Sequence, residues 1–302
     1  MENWIYFVLV AYSIWSITSL IDKIVISRGY IKNPLVYIVL NGLMNIFLIF
    51  LLPFVGFDIL SFSDFLIALL FGIMFSAAVT VYYKAIQYEE ISRIIILNQI
   101  QPIFVLFLAF VFLGDILTPN HLIGFLCLLG AGIIVSYRKE KFSMSKAFYL
   151  MLISNFLFAI AIVSSKHVFS VTSFWSAFLW LRLTSFSALF ALFLPSIRRQ
   201  FVNTFKNMRT KIKSLLFFKM LIDFSGFIFL GYAVMNGPIS LVNALSSSIQ
   251  PLIVFLLALA ISFYFPKLIK EEINKTAILV KIIALVLVMV GIWFSPLKHI
   301  TI

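Results

Sequence analysis

Apolar residues arrive in long blocks rather than in the short alternations of a soluble core, and polar residues punctuate them. Reading the block edges against charge and proline predicts ten membrane-crossing helices, near 4–27, 33–55, 62–86, 91–113, 119–137, 145–166, 170–195, 212–236, 240–264 and 276–296. Pro34, Pro53, Pro119, Pro195, Pro238, Pro266 and Pro296 fall near proposed ends, where a missing N–H costs little. Only Pro102 and Pro251 lie well inside a predicted span, and each follows a polar cluster. Asn98, Gln99 and Gln101 precede Pro102; Asn243, Ser246, Ser247, Ser248 and Gln250 precede Pro251. Both sites read Ile-Gln-Pro. Polar, proline-broken spans at corresponding points of two halves point to a transporter.

Composition agrees with that pattern. Of 302 residues 63% are hydrophobic and 11% charged, and the mean hydropathy is +1.13. A span needs roughly 20 apolar residues, so about 190 of them suit about ten crossings of a bilayer. The formal charge of +12 would suggest nucleic-acid binding in a soluble protein. Here the basic residues sit between apolar blocks, where they orient spans, and nucleic acid is excluded as a partner. Cys127 stands alone inside an apolar run, which excludes an intramolecular disulfide and a cysteine metal cluster. The opening Met1-Glu2-Asn3 lacks the positive segment of a signal peptide, so the first span is expected to be retained.

The two halves look duplicated. Trp15 to Lys23 and Phe158 to Lys166 share an eight-residue interval, Asn41 to Pro53 resembles Arg182 to Pro195, and Ala85 to Ser92 matches Ala233 to Ser240. The offset is 143 at the lysines and 149 at Pro102 and Pro251, which small loop insertions explain. Residues 1–140 and 145–302 are therefore expected to be two five-helix repeats. An odd number of spans turns the second upside down relative to the first, giving an inverted repeat.

Trp15-Ser16 with Lys23 in the first span, Ala85 before the fourth, the ending Leu113-Gly114-Asp115, and Ile123-Gly124 with Ala131-Gly132 in the fifth carry a resemblance to a known family. The chain resembles the drug/metabolite transporter superfamily in its ten-helix form with two EamA-like repeats. The resemblance implies a central cavity between the halves, opened alternately to each side. In the second half the pattern departs: Phe263-Tyr264-Phe265 and a charged insertion, Lys267 to Lys275, replace Leu-Gly-Asp. Lys and Arg concentrate in the odd-numbered connections, which by the positive-inside rule puts both termini outside the cytoplasm. The resemblance implies cytoplasmic termini instead. The basic stretch Arg198 to Lys213 reads first as a cytoplasmic anchor and second as a contact for anionic lipid.

An ionisable residue deep in a span is a functional candidate by default. Arg182 sits mid-span, and Asp223 lies near the middle of the following one, so the two are expected to meet as an ion pair. In the functional reading Arg182 holds a carboxylate or phosphate through its planar fork; in the structural reading the pair fixes helix packing. Asn243, Ser246 or Ser247, and Gln250 share a helix face, as do Asn98 and Gln101. Each proline frees a carbonyl four residues earlier, at Asn98 and Ser247. Trp15, Lys23, Asn41 and Tyr82 complete the candidate cavity, although Lys23 is also explained by snorkelling to the interface. Gly124, Cys127 and Ala131 read as a close helix contact, and the 35 phenylalanines as lipid-facing and packing residues. His121 and His167 are too scattered for a metal, and no cofactor motif is present.

Together these features predict an all-α, multi-pass protein of the inner or plasma membrane. It is expected to be a secondary transporter, not an enzyme, moving a small polar metabolite such as an amino acid or a related anionic or zwitterionic compound by alternating access. Its partners are that metabolite and the bilayer; the sequence leaves the oligomeric state open, a monomer included. Two other readings stand beside it. One is a membrane-embedded enzyme for a lipid-linked substrate, with Asp22, Lys23 and His167 as its candidates; the other is a non-transporting assembly protein.

Overall fold

The computed structural model describes residues 2–27, 30–31, 33–44, 55–86, 88, 94, 97–136, 146–264 and 275–294. Within these, the side chains of Asp22, Lys23 and Asn41 lie outside the described set. The elements are helical: α1 Asn3–Ser27, α2 Pro34–Met44, α3 Phe62–Ile86, α4 Gln101–Leu113, α5 Pro119–Ser136, α6 Lys146–Val171, α7 Phe174–Thr184, α8 Pro195–Asn207, α9 Thr210–Asn236, α10 Ile239–Tyr264 and α11 Lys275–Phe294. A 3-10 segment, Ser185–Phe193, continues α7. Four stretches among the described residues are long and apolar enough to cross a bilayer: Phe62–Ala85, Lys146–Val171, Phe174–Phe193 and Thr210–Asn236. Each predicted span holds a helix; α8 lies in a connection and carries polar and basic residues that no span would.

Hydrogen bonds sort the connections into two ends. At one end Asn33 Nδ2 donates to Gln200 Oε1 (2.7 Å), and Lys146 Nζ donates to the Tyr88 hydroxyl (3.1 Å). At the other, Ser240 Oγ donates to Asp115 Oδ2 (3.2 Å), and Lys166 Nζ donates to the carbonyls of Val234 (2.8 Å), Met235 (3.0 Å) and Gly237 (3.0 Å). The ammonium thus closes the C-terminus of α9, whose last carbonyls have no helical donors. His167 Nε2 lies 2.8 Å from Asp64 Oδ1 and ties α6 to α3 at this same end.

The core runs along the middle of the bundle, where Trp4, Ile5 and Val8 of α1 pack with Leu241, Val242 and Leu245 of α10. α3 packs on α6, α9 on α1, and α5 on both α10 and α11. The small-residue face predicted in α5 is a close contact: a Cβ on Gly291 would stand 3.2 Å from the Gly124 carbonyl oxygen. Leu113-Gly114-Asp115 ends α4 because Gly114 takes a left-handed φ of 66°, which only glycine adopts freely, and its N–H bonds Ala109 O.

Two local breaks differ from expectation. Pro102 is predicted well inside a span, whereas α4 begins at Gln101 and Pro102 occupies its first turn. A proline there costs no helical hydrogen bond, so the chain breaks before the ring instead of kinking around it. Pro251, by contrast, stays inside the continuous α10. The second break is in α7, which tightens to 3-10 geometry after Thr184. Thr184 and Ser185 bond back to carbonyls at Trp180 and Leu181, a pattern that bends helices.

Asp58, in the connection before α3, anchors the N-terminus of α7. The Ser173 hydroxyl (2.6 Å) and the Thr172 hydroxyl (3.0 Å) donate to its carboxylate, and Ser176 lies within 3.0 Å. Ser173 first, then Thr172 and Ser176, hold the Asp58 carboxyl down at about 2. Its folded value is below its unfolded one, so the anchor is complete above about pH 4 and is lost as pH falls toward about 2. Asp58→Asn is expected to lower the melting temperature at neutral pH, with the gap to the parent closing by about pH 2. Melting scans in detergent across that window check this; a gap independent of pH would refute it.

Candidate functional site

α1, α3, α4, α6, α7, α9 and α10 surround a central cavity of about 300 Å3. That is the lower end of the range for small-molecule sites, roughly 300–1,000 Å3. Of the predicted candidates, Trp15, Tyr82, Asn98, Gln101, Arg182 and Asn243 line it together. Asp223, Ser247 and Gln250 are not among its lining residues. The Lys23 and Asn41 side chains lie outside the described residues.

Arg182 sits in the last turn of α7, at the junction with the 3-10 segment, and is 9% exposed. The predicted Arg182–Asp223 pair does not form. Asp223 Oδ2 lies 2.7 Å from Lys219 Nζ, one turn earlier on the same helix, and Lys219 Nζ also donates to the Tyr37 hydroxyl (3.1 Å). A neighbour one turn away on one helix reaches its partner without bringing two helices into register, so the local pair wins over the one across helices. The guanidinium instead lies over the Phe227 ring, 3.9 Å from its centroid, and 5.9 Å from that of Phe178. An aromatic face attracts the cation but takes none of its hydrogen bonds. Arg182 Nε is buried with no partner among the described residues.

Asn243 is the complementary group. It is 7% exposed, lines the same cavity, and its Oδ1 has no partner among the described residues. A buried amide oxygen without a donor costs about 1–3 kcal/mol. The cavity therefore offers a fixed cation and an unmet acceptor, with the amides of Asn98 and Gln101 and the hydroxyls of Tyr12, Tyr82, Ser165 and Ser246 around them.

The polar stripe of α10 divides by face. Ser246 lines the cavity, whereas the Ser247 hydroxyl bonds back to Ala244 O (3.0 Å). The carbonyl of Ser247, freed by Pro251 as predicted, accepts a hydrogen bond from Gln99 Nε2 (3.4 Å). This joins the break before α4 to the proline of α10, while Asn155 Nδ2 donates to Leu97 O (2.7 Å) from the other side. Gly132 of α5 makes room for this bridge, since a Cβ there would collide with Gln99 Oε1. Gly132→Ala is expected to destabilise the fold by about 1–3 kcal/mol through overpacking. Thermal melting in detergent measures this; an unchanged melting temperature would show that the Gln99 bridge is dispensable.

Much of the wall is aromatic: Phe71, Phe75, Phe158, Phe169, Phe178 and Phe227 line the cavity. Composition assigns phenylalanine to lipid and packing, and only the fold separates these six from the rest. Phe227 carried a weak signal, lying one turn beyond Asp223. Tyr12 carried another, three residues before Trp15 on one helix face. Trp15 itself is held by its indole N–H donating to Asp223 O (3.3 Å), with Gly226 beneath it; a Cβ there would stand 2.6 Å from Trp15 Nε1.

Comparison with known proteins bears on this arrangement. Residues 2–137 match the model of the EamA-like transporter family. A solved structure described only as "Crystal structure of protein" shares the fold, with a TM-score of 0.66 at 13% identity over 97% of this chain and 98% of that chain. No curated protein matches the chain in sequence.

Proposed function

We propose that this chain, EamA-like over residues 2–137 and a multi-pass membrane protein, moves a small zwitterionic metabolite of the amino-acid class across the inner or plasma membrane. One observation carries the reading: Arg182 and Asn243 face one cavity, the first a buried cation with an N–H unpaired among the described residues, the second a buried amide oxygen with no donor among them. A carboxylate satisfies the guanidinium, and an ammonium satisfies the amide oxygen. The aromatic wall takes the apolar remainder, and the volume of about 300 Å3 limits the guest to metabolite size.

The helix contacts support two inverted repeats, 1–140 and 145–302. α3 packs on α6 as α9 packs on α1, and α4 packs on α6 as α10 packs on α1. Exchanging the halves turns each contact into its mate. The family match ends at residue 137, close to the proposed junction. Alternating access then works by rocking of the halves, with bending at the break before α4 and at the 3-10 junction beside Arg182. The reading is of facilitated movement, because Asp223, the acid expected beside Arg182, is held by Lys219 outside the lining.

Uptake into proteoliposomes across amino acids, nucleosides, nucleotide-linked metabolites and organic cations tests this. Saturable uptake confined to amino acids or their relatives is expected; movement of organic cations alone would sink the proposal.

A further inference from the structure

The basic stretch around α8 has a place in the fold that transport does not use. α8 lies against the bundle through buried Ile197, and Gln200 accepts the hydrogen bond from Asn33. From Pro195 to Lys213 the chain carries Arg198, Arg199, Lys206, Arg209, Lys211 and Lys213 and no acidic residue. Lys213 is engaged over the Phe205 ring, 4.6 Å from its centroid. Arg198 and Arg199 are exposed and have no acidic partner among the described residues.

Directly before α8 the 3-10 segment opens a groove of about 480 Å3 lined by Phe186, Leu189, Phe190, Leu192 and Phe193, with Arg198 on its rim. Phe190 is 65% and Phe193 81% exposed. The tighter 3-10 winding eclipses residues three apart, so Phe186, Leu189 and Leu192 line up along one edge, as do Phe190 and Phe193 on another. An open apolar trough at the end of a spanning segment, with a guanidinium among its lining residues, matches one molecule with two chemistries: an acyl chain and a phosphate.

We infer that this groove binds one anionic glycerophospholipid, its acyl chain along the edge of Phe190 and Phe193 and its headgroup phosphate on Arg198, with Arg199 beside it. Charge complementarity selects the occupant. A zwitterionic lipid brings its own cation to the phosphate and gains less from a cluster of one sign, and a bulk acyl chain has no use for Arg198. The site is separate from the central cavity and does not depend on what that cavity carries.

The test uses the purified full chain in detergent, titrated with phosphatidylglycerol or phosphatidylcholine and read by native mass spectrometry and thermal shift. Phosphatidylglycerol is expected to bind saturably, at least about tenfold more tightly than phosphatidylcholine, and to weaken as salt is raised. The double variant Arg198→Gln with Arg199→Gln is expected to lose that preference, while Lys211→Gln with Lys213→Gln keeps it. Phe190→Ser is expected to weaken both lipids. Glycerol phosphate up to millimolar concentration should not compete. Equal binding of the two lipids, a preference that survives loss of both arginines, or full competition by glycerol phosphate would each overturn the assignment. If the double arginine variant does not fold, the salt dependence and lipid preference of the parent still decide.

Discussion

Arg182→Gln is expected to reduce amino-acid uptake about 30- to 3,000-fold while leaving the protein as stable as the parent or more so. Truncating one partner of a desolvated charge contact costs about 2–5 kcal/mol, and every 1.4 kcal/mol is tenfold. The second half of the expectation follows from the surroundings of Arg182. A guanidinium that is 9% exposed, with an Nε unpaired among the described residues and aromatic rings against its face, carries a desolvation cost that no described protein group offsets. Glutamine removes the charge and keeps a donor. Had Arg182 been locked to Asp223, removing it would strand a buried carboxylate and destabilise the fold. With Asp223 already paired to Lys219, that penalty is absent. Uptake and detergent melting measured on the same preparation separate the cases. Lost uptake with lost stability would return Arg182 to a packing role.

Asn243→Leu is expected to change selectivity. The amide oxygen, without a partner among the described residues, is assigned to the ammonium of the guest, and a hydrogen bond to a charged group contributes about 1.5–3 kcal/mol. Leucine should weaken transport of the amino-bearing compound about 10- to 100-fold. The analogue lacking the amine should be moved about as well as by the parent, because it never used that oxygen. Competition curves for the two compounds against both proteins check this. A parallel fall for both would mean that Asn243 shapes the wall rather than reading the amine.

Hydropathy and proline placement were enough to foresee the helices that contain the predicted spans, because a bilayer leaves apolar length as the dominant constraint. The internal spacing from Trp15 to Lys23 and from Phe158 to Lys166 pointed to the repeat. Most of the polar cavity residues were legible for the same reason: a polar side chain in a span needs a cause, and Arg182, Asn243, Asn98 and Gln101 all had the wrong chemistry for lipid. What failed were choices between near neighbours. Asp223 turns to Lys219 because the two stand four residues apart on α9, a local pairing that the reading across helices passed over. Ser246 and Ser247 differ by about 100° around α10, enough to put only Ser246 in the wall and too little for a polar pattern to resolve. Pro102 and Pro251 share a tripeptide, yet one starts a helix and the other sits within one: Asn155 donates to the Leu97 carbonyl before the first, and Gln99 donates to the Ser247 carbonyl that the second frees. The phenylalanines were invisible as a lining because the same residue faces lipid elsewhere on the same helices.

The central claim is that the cavity reads an anion with Arg182 and an amine with Asn243, and substrate counterflow in proteoliposomes made with the parent protein tests it most directly. Three competitors are compared: the full amino acid, its amide without the carboxylate, and its analogue without the amine. The amino acid is predicted to compete best, the des-amino analogue about 10- to 100-fold less well, and the amide least of all, since a buried guanidinium then faces a neutral group. An amide that competes as well as the acid would contradict the account.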